Sequence, residues 1–475
     1  MVGPCHTNCA RLVLSAYLRG SFEAPRPYSR FRSEAMAATA KDQTILVVGG
    51  GTFGLSTALQ LGRRGYTNVT VLDPHSIPSA LSAGNDVNKT VDGGNLTSNT
   101  DEGYIGSKLL AASVEGWRED PVFKPFYHET GFICAASSPE GEENVVRRQA
   151  PDQAAPGSMI RLQTAEDFMA LMPKGALTGD FPGWRGWYKK GSNGSGWVEA
   201  RKAMQSAFHE AKKLNVRFLT GREDGDVVEL CYEDGDVTGV RTRSGRVLKA
   251  DCVILAAGAR SSEIFDFQQQ LLPKCWTLAH IKLEPHEIEL YRDIPVMSNI
   301  ERGFFIPDLE TGELKICNEF PGYTNFVEDA KTGKKASVAV HRHDIPVEAE
   351  DRLRSYLRDC MPHLAERPFT FARVCWCTDT PDRAFLIGRH PTYKRLLFAT
   401  GDSGRGFMHI PAIGKFIVDA MEGSLDPVMA KAWKWRPETA VDRDLGDRQG
   451  RMGGLRRPQD LSEVNAWSKE RVVKA

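Results

Sequence analysis

The stretch from Thr44 to Asp73 leaves the chain little freedom in how it folds. Thr44 to Val48 (TILVV) is a short apolar, β-branched run of the kind that forms a buried parallel strand. Gly49-Gly50-Gly51-Thr52-Phe53-Gly54 follows at once, and Leu55, Ala58, Leu59 and Leu61 then carry helical spacing towards Gly65. Val69 to Leu72 reads as a second strand closed by Asp73, 19 residues after Gly54. Each part has a mechanical reason: Gly49 allows the tight turn, Gly51 lets a pyrophosphate approach the backbone, and Gly54 lets the helix pack on the strand. The helix N-terminus at Thr52 offers N–H groups and partial positive charge to phosphates, and Asp73 can accept hydrogen bonds from ribose hydroxyls. A glycine triplet alone would be weak; the strand, helix and acid in step with it predict a Rossmann-like α/β dinucleotide-binding unit.

Composition narrows the class. With 475 residues, at roughly 150 per domain, two to three domains are expected. Lys and Arg number 61 and so do Asp and Glu, so the net charge is zero, which argues against a nucleic-acid binder. No apolar stretch approaches the roughly 18 residues of a membrane span, so no membrane partner is expected either. The ten cysteines do not form a dense disulfide framework, which favours a reducing compartment. Residues 1–41 are Arg-bearing and acid-poor, and include Cys5 and Cys9. They read as a disordered leader, as an overextended start before Met36, or as a mitochondrial transit peptide. The C-terminal Val-Val-Lys-Ala is not a Ser-Lys-Leu address. The expectation is a monomer in the cytoplasm or peroxisome, or in the mitochondrion if the leader is a transit peptide.

Three features favour FAD over NAD. Val237 to Lys249 reads as a hairpin leading into an apolar strand, Cys252 to Ala256, and a glycine turn at Gly258, a second return to the cofactor. Gly196 to Leu219 reads as an amphipathic helix and a short strand. A late glycine cluster, with Gly401, Gly404, Gly406 and Phe407, precedes a helix over Ile410 to Met421 whose N-terminus can face the charge of a reduced flavin. Nicotinamide dehydrogenases seldom return to the cofactor so late, although they share the first glycine pattern. The cofactor domain is thus expected to be discontinuous, over 42–96, 190–265 and 372–435. A second, antiparallel-sheet domain over 97–189 and 266–371 would build the substrate pocket, with 436–475 a surface tail.

In that second domain, residues two apart on a strand share a face. Lys315, Cys317 and Glu319 therefore project together, as do Cys375 and Cys377 with Trp376 opposite. Lys315 alone reads as a solvated lysine, and the Cys-x-Cys pair lacks a second pair at zinc spacing, so no metal is expected.

The segments VVGGGTFGLSTALQLGRRGY, SAGNDVNKT, WTLAHIKLEP, NIERGFF, KICNEFPGYTN, FARVCWCTDTPDRAFLIGRHP and GDSGRGF run in order through nearly the whole of 43–467. Together they resemble the fungal fructosyl amino acid oxidases (amadoriases) of the monomeric sarcosine oxidase family. The resemblance implies FAD joined through Cys375, and Lys315 as the residue that assists reaction with oxygen. It implies that Glu319 faces the substrate and that Lys89 lies on the opposite flavin face. Thr52 in the glycine loop and Asn85 beside Asp86 join the expected cofactor-binding set. One departure matters: members of the family generally have Lys after the final GRGF or GHGF, pairing a substrate carboxylate, and here that residue is Met408. A thioether cannot neutralise a carboxylate, so either Arg405 or His409 takes over, or the substrate lacks a carboxylate there. The expected activity is oxidation of the C–N bond of a secondary amine or N-substituted amino acid by O2, giving an imine and hydrogen peroxide. Saccharopine, L-pipecolate, sarcosine or a secondary-metabolite amine are alternative substrates, and an NAD-dependent dehydrogenase is the alternative of a different class.

Overall fold

A computed structural model describes residues 40–93, 100–149, 156–308, 310–328, 335–441, 443 and 458–468, without the side chains of 148 and 319–321. The leader with Cys5 and Cys9, the side chain of Glu319 and most of 436–457 lie outside the described residues.

The glycine-flanked strand Ile45–Val48 sits inside a six-stranded sheet, between Cys252–Leu255 and Val69–Asp73. Arg217–Thr220 and Leu396–Thr400 extend it in parallel, and Leu386–Arg389 closes one edge antiparallel. Strand alternation divides the apolar runs between two cores. Ile45, Val47, Val69 and Val71 pack under the helices Thr52–Arg63, Ala200–Lys213 and Ile410–Glu422. Leu46, Val48, Leu72, Val253 and Leu255 face the opposite way, against the three-stranded sheet of Val227–Glu233, Asp236–Thr242 and Val247–Lys249. Both faces are therefore covered, which is why these strands can be apolar throughout.

The second sheet has nine strands, eight along its path and Gln459–Asp460 paired beside Glu313–Thr324, and is antiparallel for most of its width. Its path runs from Phe369–Asp379 through Leu272–Lys282, Glu313–Thr324, Gly303–Asp308 and Val296–Asn299 to Phe132–Ala136, Arg185–Lys189 and Met159–Leu162. Ala279, Phe305, Leu314 and Ile316 on one face pack against Leu353, Tyr356 and Leu357 of the helix Val347–Cys360. The other face is left for the cavity described below.

Three expectations are corrected. Phe369–Asp379 pairs with Leu272–Lys282, so the boundary expected at 372 falls inside a strand of the second sheet. The helix Asp101–Glu119, expected in the substrate block, buries Leu109 and Trp117 in the core beneath the parallel sheet. Beyond the short strand Lys335–Ser337 the chain crosses to the cavity, where the indole of Trp376 donates to the Val340 carbonyl at 2.6 Å. Arg436, read as part of a surface loop, is 5% exposed and paired with Asp382 at 2.7 Å.

Candidate active site

One continuous cavity of about 1020 Å³ runs from the glycine loop to the antiparallel sheet. At its first end the backbone does the work. Gly49 has φ +102°, and a Cβ on Gly54 would lie 1.8 Å from the Gly49 carbonyl oxygen, so neither position accepts a side chain. Gly51 opens towards the cavity, where an added Cβ would meet only the Ser82 hydroxyl, at 3.5 Å. The helix Thr52–Arg63 starts from Gly51 with no side chain capping its first turn, leaving those N–H groups to an anion. Asp73 reaches the cavity wall from the end of its strand, its carboxylate held by the N–H groups of Gly50 and His75, each at 2.9 Å. Burial pushes its carboxyl up, and those two donors partly offset this. A glycine cradle, uncapped helix end and strand-end carboxylate fit the phosphates and ribose of a dinucleotide.

Where the cavity meets the second sheet the wall becomes ionic. Cys375 is half-buried on it, and its Sγ lies 4.0 Å from the Nζ of Lys89. Lys89 starts the short strand Lys89–Val91, which pairs with Gly196–Val198. Its ammonium pairs with Asp86 at 2.9 Å. Lys315, fully buried, reaches the same carboxylate oxygen at 2.6 Å and donates to the Asn88 carbonyl at 2.8 Å. Arg373 approaches that oxygen at 4.0 Å and donates to the carbonyls of Ala80 and Asn85, both at 3.3 Å. Burial alone would push the Asp86 carboxyl up; Lys315, Lys89 and Arg373 overcome it and hold the group well below the usual carboxylate range. Against the same burial, Asp86 holds the Lys89 ammonium above the usual lysine range.

Beyond this cluster the cavity is lined by Phe132, Cys134, Phe304, Cys317 and Met408, with Arg405 at its mouth. The backbone at Met408 is fixed by the indole of Trp117, which donates to its carbonyl at 2.7 Å. His409 is buried with its Nδ1 2.8 Å from the Ser113 hydroxyl. Burial, and then the charge of Arg405, lower its pKa to about 3, so it is neutral at ordinary pH and cannot replace a lysine. Arg405 is exposed, donates to the Arg383 carbonyl at 2.7 Å, and is the cation left beside Met408 of the two expected.

Of the residues expected from sequence, Gly49, Gly51, Thr52, Asp73, Lys89, Gly258, Cys375, Gly404, Arg405, Gly406, Phe407 and Met408 line this one cavity. Gly54 and Gly401 stand behind the wall as packing positions, with an added Cβ 1.8 Å from Gly49 and 2.7 Å from Thr380. Asn85 also stands off the wall; its side chain accepts from Arg201 at 2.9 Å. Lys315 is no solvated lysine but lies one layer behind Lys89, and Glu319 is placed only by its backbone in Glu313–Thr324. No metal-holding cluster of His, Cys, Asp or Glu occurs among the described residues. Sequence reasoning missed Asp86 and Arg373. Both had a signal: Asp86 lies inside the segment read for Asn85 and Lys89, and Arg373 is two residues before Cys375 on the same strand.

Comparison with known proteins agrees with this geometry. The family model described as FAD dependent oxidoreductase (DAO) matches residues 44–420. The fructosamine oxidase amadoriase II of Aspergillus fumigatus is 47% identical, over 92% of this chain and 99% of its own, with a TM-score of 0.88. Amadoriase I of the same fungus is 50% identical, over 90% and 98%, with a TM-score of 0.87. The L-saccharopine oxidase of Schizosaccharomyces pombe is 26% identical over 83% of this chain and 94% of its own. Nothing supports the nicotinamide alternative; the cofactor is FAD, and the reaction is oxidation at a CH–NH bond. On the match over 44–420 and the cavity that carries it, this chain belongs to the DAO family of FAD-dependent oxidoreductases.

Proposed function

We propose that the protein is a monomeric oxidase of fructosyl-type secondary amines, with its FAD tethered through Cys375. The observation that carries this reading is the cavity wall, where the Cys375 thiol and Lys89 ammonium lie 4.0 Å apart with Lys315 held behind them on Asp86. Bound FAD supplies the two-electron oxidation of the amine C–N bond and passes the electrons to O2, giving an imine and hydrogen peroxide. The chain's own residues do the rest. The glycine loop and Asp73 grip the nucleotide, and Phe132, Phe304 and Phe407 keep the reacting end dry. Lys315 keeps an ammonium beside the site where oxygen takes up negative charge, the preorganised electrostatics that such a step requires. Lys89 places its ammonium 4.0 Å from the Cys375 sulfur, on the wall where the cofactor would be tethered. Glu319 and Arg405 orient the substrate's amine, hydroxyls or carboxylate.

Met408 favours a second reading of the substrate: an amine with no carboxylate at this position, since His409 is neutral and Arg405 sits at the mouth. A peroxide-release screen separates the two readings. It would cover fructosyl amino acids, their decarboxylated fructosyl amines, saccharopine, pipecolate and sarcosine. Turnover of the fructosyl compounds is expected; activity confined to unglycated amines would overturn the first reading. Met408→Lys should raise kcat/KM for the carboxylate-bearing members about tenfold over the decarboxylated ones.

A further inference from the structure

Two ammonium groups stand at the cavity wall, Lys89 lining it and Lys315 buried one layer behind, and one carboxylate stands between them. Asp86 is 2% exposed, and its two oxygens are divided by task. Oδ1 accepts from the N–H of Val87 at 3.0 Å, which fixes the carboxylate plane to its own loop. Oδ2 takes Lys315 at 2.6 Å and Lys89 at 2.9 Å, with Arg373 at 4.0 Å. The loop itself is anchored to the antiparallel sheet: the Asn88 side chain donates to the Pro307 carbonyl at 2.9 Å, and the Asn88 carbonyl receives Lys315.

We infer that Asp86 is the positioning residue of the oxidase: it holds the Lys315 ammonium in place for the oxygen reaction, and at the same time sets Lys89 beside Cys375. Three cations facing one carboxylate leave an excess of positive charge next to the cofactor pocket, and buried charges of one sign tolerate this only while the carboxylate is ionised. The depressed carboxyl of Asp86 agrees, because it keeps the hub charged far into the acid range. The other groups facing Lys315 do not replace it. His280, directly across the sheet from Lys315, is engaged with Glu313 at 2.9 Å, and Cys317 and the cofactor-tethering Cys375 offer sulfur rather than a carboxylate. The inference rests on the oxygen-reaction role proposed for Lys315, and the experiment separates the two.

The test uses the holoenzyme in stopped flow, following flavin reduction by substrate and reoxidation by oxygen separately across pH, with visible circular dichroism and thermal melting as checks of folding. In Asp86→Asn, reoxidation should slow by about tenfold while reduction changes far less. The alkaline limb of the reoxidation profile should move down by about one pH unit, because the three cations gathered on Asp86 then face one another without a counter-charge. Asp86→Glu should restore the limb in part. Asp86→Asn combined with Lys89→Met should move it back up, since one of the repelling charges has gone; a purely structural role for Asp86 would make the double variant no better than the single. A limb that superimposes on that of the unaltered enzyme in folded Asp86→Asn overturns the inference. If Asp86→Asn does not fold, Asp86→Glu decides the matter: an unshifted limb with unchanged reoxidation overturns the inference, and a lowered limb upholds it. Should Lys315→Met also leave reoxidation unchanged, the role of Lys315 itself falls; if only Asp86 proves silent, the positioning role alone falls.

Discussion

The two sheets reach the same cavity by opposite means. In the parallel sheet, Ile45–Val48, Cys252–Leu255 and Leu396–Thr400 are buried almost wholly through apolar side chains, and the ligand is met by backbone at the strand ends. In the antiparallel sheet, charged side chains are buried on the strands themselves: Lys274, Lys315, Arg373 and, at a strand end, Asp379. The first arrangement binds by leaving side chains out, and the second acts by placing them where solvent cannot screen them. Mutations in the first should therefore abolish cofactor uptake. Mutations in the second should leave a coloured protein with altered rates.

The largest effect is expected for Gly54→Val. Its side chain would collide with the Gly49 carbonyl, so the protein should be recovered colourless or insoluble, as read from the flavin absorbance of the purified fraction. A yellow, active variant would break the contrast. Next comes Lys315→Met, which should keep its colour but lose about a hundredfold in reoxidation by oxygen, measured apart from reduction. Equal losses in both half-reactions would show that the second sheet binds rather than acts. Cys375→Ala sharpens the same line: acid-precipitated wild-type protein should stay yellow, whereas the variant should release its flavin to the supernatant while the folded protein still binds it through the glycine loop. The smallest effect belongs to His409→Gln. His409 is held neutral with a folded pKa of about 3, so between that value and its ordinary one the unfolded chain binds the extra proton. Stability therefore falls as pH drops through this window, by at most about 1.4 kcal/mol per pH unit, and the variant should flatten the acid side of the melting-temperature profile.

How much could be read from the chain alone follows the same division. The glycine loop and Asp73 are local: the turn, helix start and strand end lie within one short segment, so their geometry is implicit in their spacing. The ionic hub is not. Lys89 and Cys375 are 286 residues apart in the chain and stand on strands of two different sheets, so only tertiary packing brings them together. The resemblance to a family singled out Lys315, Lys89 and Cys375 but said nothing of Asp86, whose pairing with Lys315 and Arg373 joins elements far apart in the chain. The boundary misplaced at 372 has the same origin. Phe369–Asp379 alternates like any half-buried strand, and nothing in it says which of two sheets it joins. The helix Asp101–Glu119 was misassigned because its partner, Ile410–Glu422, lies at the far end of the folded region.

That same helix has a consequence for how selectivity can change. Trp117 grips residue 408 by its carbonyl oxygen, an atom every amino acid possesses. Whatever residue stands there keeps the same backbone anchor, so on the pocket-lining role proposed for Met408 an exchange of thioether for ammonium would alter the chemistry of the wall without asking the scaffold to move.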